Sequence, residues 1–106
     1  MAEDVFRKLF RSRQRFIRAA DVAVAEAARI FSQAETGQKL RNAAAAAKKC
    51  ERAAALYQKA GLGLLAKEHF AAASRYCCLC RDQERARLNQ ERWTAVPTYW
   101  EDDKTA

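Results

Sequence analysis

The sequence predicts an all-α fold, a three-helix bundle in which a long first helix packs on an antiparallel helical hairpin and an aromatic C-terminal tail follows. Three observations carry this expectation. Of 106 residues, 24 are alanine, three are glycine and one is proline; alanine is the strongest helix former and glycine and proline the weakest, which excludes a turn-rich or all-β fold. Apolar residues recur in alternating steps of three and four through the first third of the chain, the spacing of a helix packed along its length. Finally, Gly61-Leu62-Gly63 is so short a connection that the helices on either side must fold back on each other. A 12.0 kDa chain has room for one small domain and its core.

Each element has its own signals. The first helix is expected over residues 4–35, where Phe6, Leu9, Arg13, Phe16, Ala20, Ala23, Ala27, Ile30 and Ala34 keep a seven-residue pattern without a slip. A second row, Phe10, Ile17, Val24 and Phe31, broadens the stripe to that of a bundle helix. Arg13 interrupts it, with its stem expected on the apolar surface and its guanidinium in water. Thr36-Gly37-Gln38 is the expected stop. The second helix is expected over 39–60, with Leu40, Ala43, Ala44, Ala47, Cys50, Ala54 and Tyr57 on one face, and the third over 64–92, with a face of Leu65, Ala66, His69, Phe70, Ala73, Tyr76, Cys77, Cys80 and then, more polar, Arg87 and Leu88. Beyond Cys80 the pattern weakens into a charged extension held by local ion pairs. Residues 1–92 thus form the bundle and 93–106 the tail. Pro97 ends helical structure before it, and Trp93 is expected to seal the end of the bundle.

The hairpin resembles a tetratricopeptide repeat (TPR). With Phe70 as the large aromatic of the second repeat helix, Ala66 stands four before it and Ala73 three after, Tyr57 and Ala54 take the first-helix tyrosine and small-residue positions, and Gly61 falls at the turn. Cys50 stands where the pattern has tryptophan, and Cys78 where a proline would close the repeat, so the third helix is expected to run on. Leu56-Tyr57-Gln58-Lys59-Ala60-Gly61 with Ala66-Lys67-Glu68-His69-Phe70 is also similar to hairpins of the soluble NSF attachment proteins. Three helices with this hairpin resemble the microtubule-interacting-and-trafficking domain, from which the long first helix departs. The resemblance implies a binding module that receives a peptide on the face of the second helix.

Catalysis has little to work with. His69 is the one histidine, no serine stands in a nucleophile elbow, and Gly61-Leu62-Gly63 lacks the lysine and length of a phosphate-binding loop. The expectation is a non-enzymatic protein without a cofactor. Cys50, Cys77, Cys80 and His69 are the only candidate zinc set, since tetrahedral zinc needs four ligands converging from separate segments; the preferred reading of these cysteines is as small hydrophobes on buried helix faces. Cys77, Cys78 and Cys80 crowd one short stretch, where they cannot staple distant segments, which argues for reduced thiols in the cytoplasm or nucleus. The acidic start and the lack of any membrane-spanning run argue against a secreted or integral protein.

Charge is the strongest functional signal. Twenty Lys and Arg against thirteen Asp and Glu give +7, which favours acidic partners: nucleic acid, anionic lipid or an acidic peptide. Arg41, Lys48, Arg52 and Lys59 make one stripe of the second helix; Arg7, Arg11, Arg15 and Arg18 make another on the first. The favoured expectation is a protein–protein interaction module, an adaptor or small subunit of an intracellular complex, whose second-helix stripe receives an acidic amphipathic segment. The alternative is an RNA- or ribonucleoprotein-associated subunit using the first-helix arginines, against which stands the lack of an evident exposed aromatic among them. Another is a self-assembling helical protein, a homo- or hetero-oligomer through the first-helix stripe. A membrane surface is disfavoured because that stripe continues unbroken into Ile30 and Phe31, which suits a core. Trp93-Thr94-Ala95-Val96 also has the aromatic-x-x-aliphatic form of a short docking motif.

Overall fold

The computed structural model describes residues 2–33 and 39–97, with side chains from Asp4 onward. It is helical throughout, with α1 (Ala2–Ser32), α2 (Lys39–Lys59), α3 (Gly63–Leu79) and α4 (Gln83–Ala95) and no strand among the described residues. Each helix packs chiefly on its chain neighbours, α1 on α2, α2 on α3 and α3 on α4, in a body of 56 × 25 × 23 Å. The predicted stop at Thr36-Gly37-Gln38 and the tail from Thr98 onward lie outside the described residues.

The all-α expectation holds, but the third helix does not run from 64 to 92. It ends at Leu79, and α4 starts at Gln83. Both tight connections use one device. After α2, Gly61 adopts φ +80°, its N–H reaches the Gln58 carbonyl at 3.0 Å, and the Leu62 N–H reaches back to Tyr57 at 2.9 Å. After α3, Arg81 adopts φ +63°, its N–H reaches Cys78 at 3.1 Å, and the Asp82 N–H reaches Cys77 at 2.9 Å. These paired bonds satisfy carbonyls that a helix end leaves without partners. Asp82 then caps α4, its side chain accepting from the Arg85 N–H at 3.0 Å. Trp93 consequently belongs to α4 and is 39% exposed, and the end of the core is closed instead by Val96 beside Phe70. Burial of Val96 withdraws the aliphatic residue of the Trp93-x-x-Val96 motif from the surface.

The core is built on alanine. Ala20, Ala23 and Ala27 of α1 face Ala46, Ala53 and Ala54 of α2, and Ala66 and Ala73 join from α3. Alanines let helix axes approach closely, while Tyr57, Phe70 and Cys50 fill the space between them. Phe31 meets Tyr76 edge-on at 5.1 Å, tying α1 to α3. Tyr57 donates to Asp21 and stacks on His69 at 5.3 Å; burial, with that bond second, pushes its phenol up to about 12.

The two turns make a paired test. Nothing lies within 4 Å of a Cβ built at Gly61, so Gly61→Ala should cost about 1 kcal/mol through backbone strain alone. Arg81→Gly relieves the same strain and should stabilise by up to about 1 kcal/mol. Urea midpoints of the two variants should move in opposite directions.

Candidate interaction surface

α1 is longer than the helix that covers it. Antiparallel α2 reaches α1 from Asn42, whose side-chain amide donates to the Ile30 carbonyl at 2.9 Å, to Ala60, whose carbonyl accepts from Arg13 Nε at 2.9 Å. The guanidinium of Arg13 is therefore not left to water: it satisfies a carbonyl at the C-terminal end of α2. N-terminal to this bond, α1 continues for about 16 Å with none of its large apolar side chains buried. Phe6, Leu9 and Phe10 are 70%, 66% and 53% exposed, whereas Phe16 and Ile17 are half-buried. This corrects the expectation that the whole stripe is core.

Of the two basic stripes that the sequence presents separately, one member of each, Arg18 and Arg52, comes together across the α1–α2 groove. Arg18 and Arg52 line one depression of about 390 Å³ with Ala19, Val22 and Ala23 as its apolar part, and Glu26 and Lys49 at one end. Lys49 pairs with Glu26 at 2.7 Å; the hydrogen bond and charge of Lys49, with lesser help from Arg29 and Arg52, hold that carboxyl below its ordinary value. Toward the other end Lys59 lies 5.8 Å from the centre of the Phe16 ring. Arg41, Lys48, Arg52 and Lys59 are all exposed, as are Arg7, Arg11, Arg15 and Arg18. Among the described residues none of these eight cations makes an ion pair. Phe6, Arg7, Phe10 and Arg11 line a second, shallower depression of about 250 Å³. Exposed aromatics thus do stand among the first-helix arginines, which removes the objection to a nucleic-acid partner.

Two of the four thiols, Cys50 and Cys77, and the histidine sit in packed surroundings, whereas Cys78 is exposed. Cys50 packs with Ala27, Ala46 and Ala73, and Cys77 with Ala47 and Ala86; burial pushes each thiol up to about 11. Burial likewise lowers His69, against the opposing pull of Glu68 and Asp21. Among the described residues no three His, Cys, Asp or Glu side chains gather as a metal-binding group, and no helix is long and apolar enough to cross a membrane.

One polar cluster escaped the sequence reading. Glu51 of α2 accepts from Arg85 Nε at 2.9 Å and from Asn89 Nδ2 at 2.8 Å, with Arg92 at 3.9 Å. Asn89 is fully buried and also donates to the Arg85 carbonyl at 3.1 Å. The cluster pins α4 to the hairpin. Its signal was available only as unpaired heptad-breaking residues on α4, because their partner lies 34 to 41 residues away.

Compared with protein-family models, curated proteins and solved structures, the chain matches none.

The pin should be sensitive to acid. Burial alone would raise the Glu51 carboxyl, but bonds from Arg85 and Asn89 and the charge of Arg92 outweigh it and hold the group below its ordinary 4.5. The unfolded chain then takes up the proton first, so the stabilisation is complete above that value and lost as pH falls through the folded one. Glu51→Gln should cost about 2 kcal/mol at neutral pH. It should also flatten the fall in Tm as pH drops below the ordinary carboxyl value of 4.5, read by thermal melts of both proteins.

Proposed function

We propose that this chain is a non-catalytic protein-binding module, an adaptor or small subunit of an intracellular complex, that receives an acidic amphipathic segment along the α1–α2 groove. The observation that supports it is the convergence of Arg18 and Arg52 on one groove with an apolar floor, flanked by the exposed Lys48 and Lys59. Carboxylates on the segment meet these cations while its apolar residues lie against Ala19, Val22 and Ala23. Charge sets the rate and orientation of encounter, and the apolar floor lengthens the lifetime of the complex. The hairpin with its Gly61 turn, followed through a second turn of the same kind by α4, also supports the likeness to a TPR. In that reading Arg41, Lys48, Arg52 and Lys59 belong to the receiving face.

A second reading draws on the exposed Phe6 and Phe10 beside Arg7 and Arg11: bases of single-stranded RNA stacking on the rings while Arg7, Arg11, Arg15 and Arg18 hold phosphates. The two separate in one experiment. Tagged protein should retrieve a stoichiometric protein from nuclease-treated lysate, and Lys48→Glu combined with Arg52→Glu, or Arg18→Glu with Arg52→Glu, should abolish retrieval at unchanged helicity. Retrieval that disappears with nuclease, or binding that falls log-linearly and steeply with salt, selects the RNA reading. Retrieval unaffected by either reversal rejects the groove.

A further inference from the structure

The part of α1 that reaches past the hairpin is the least satisfied surface of the molecule. Phe6, Leu9 and Phe10 continue the heptad positions that Ala20, Ala23, Val24 and Ala27 occupy against α2 and α3. Helical spacing therefore points the exposed side chains to the same side as the hairpin. The hairpin itself ends at Ala60, fixed by the Arg13 bond. The result is a corner: one wall is the α1 stripe, and the floor is the α2–α3 turn.

We infer that this corner is the docking site for an α-helix of a partner protein, apolar on one side and acidic along the edge that meets Arg7 and Arg11, lying against α1 roughly in line with α2. Continuity is the first argument. The same stripe, a few turns further on, is an established helix–helix interface, and a second helix placed beyond the end of α2 extends that seam without any change in α1. Charge is the second. From Val5 to Ala20 the chain carries Arg7, Lys8, Arg11, Arg13, Arg15 and Arg18 and no acid. Arg7 and Arg11 border the Phe6–Phe10 depression directly, while Val5 and Ser12, by helical spacing on the other edge of the stripe, carry no charge. Cations along one edge of an apolar seam select an acidic edge on the incoming helix.

These features also weigh against other occupants. Two antiparallel copies of α1 would set the Arg7–Arg11 edge of one against that of the other. A flat bilayer approaching the stripe meets the end of the hairpin before the phenylalanines, because both lie on the same side of α1. The proposal rests on the reading of this chain as a receiver of acidic amphipathic segments, but it uses a surface separate from the α1–α2 groove.

The test uses the full chain and a labelled synthetic 21-residue helix with leucine at its a and d positions and glutamate at e and g, followed by fluorescence anisotropy. The peptide should bind the wild-type chain. Phe6→Gln with Phe10→Gln should weaken it at least tenfold, as should lysine in place of the peptide's glutamates. Both phenylalanines are exposed, so the Tm of the double variant should stay at the wild-type value, and Leu9→Gln gives an independent readout of the same face. Equal affinity for wild type and the Phe6/Phe10 variant, or no binding, overturns the proposal. It is also overturned if the phenylalanine pair abolishes a concentration-dependent dimer in sedimentation, vesicle binding at one-third phosphatidylserine, or binding of a single-stranded RNA oligomer while peptide affinity is unchanged. Failure here leaves the groove reading intact if Arg18→Glu with Arg52→Glu still abolishes retrieval. Loss of the groove effect with peptide binding retained separates the two in the other direction.

Discussion

The seam between α1 and α2 is the constraint on which the rest of this structure depends. Alanine faces alanine across it at Ala20, Ala23 and Ala27 on one side and Ala46, Ala53 and Ala54 on the other. Each alanine buries little surface, so the seam is stabilised less by any one residue than by the close approach it permits and the dispersion that follows. Close approach also carries a strict steric demand. A larger side chain at Ala53 or Ala54, each fully buried, would push the axes apart along the whole contact. Polar ties then fix the register at both ends: Asn42 on the Ile30 carbonyl and Arg13 on the Ala60 carbonyl. With register fixed, Arg18 and Arg52 come to one groove and the first turns of α1 are left beyond the hairpin.

How much of this was legible in the sequence depends on what each signal reports. Heptad spacing identified the face of α1, and the structure uses that face. Spacing does not report what covers a face, and there the reading failed at Phe6, Leu9 and Phe10. A length argument was available: α1 has 31 residues and α2 has 21, so one antiparallel neighbour leaves several turns bare. The expected 64–92 helix concealed the shortfall by offering a second long wall. That helix breaks because Arg81 takes the left-handed position where glycine is the usual residue, which composition could not announce. Asp82 with Glu84 in the first turn was a readable start signal, masked by the charged residues around it. The separate basic stripes were each legible as helical spacing. The meeting of Arg18 with Arg52 at one groove was not, since it depends on the antiparallel register that ties such as Arg13 and Asn42 fix.

The distribution of charge follows from where the acids are used. Asp21 accepts from Tyr57, Glu26 holds Lys49, Glu51 gathers Arg85, Asn89 and Arg92, and Asp82 caps α4. Three of these four ties join one helix to another, and the fourth starts a helix, so these four carboxylates act inside the architecture. Few cations have comparable work: Arg13, Lys49, Arg85 and Arg92 join helices, whereas the Arg7–Arg18 and Arg41–Lys59 stripes face solvent. The net charge of +7 is therefore concentrated on α1 and α2 rather than spread over the molecule. Fields of like charge raise the free energy of the compact state, and a surface that retains them beside exposed phenylalanine gains from a partner twice. Acidic groups relieve the repulsion, and apolar groups remove Phe6, Leu9 and Phe10 from water. The two contributions reinforce each other only for a ligand that brings both chemistries at helical spacing, which is why an acidic amphipathic helix fits this surface better than a simple polyanion.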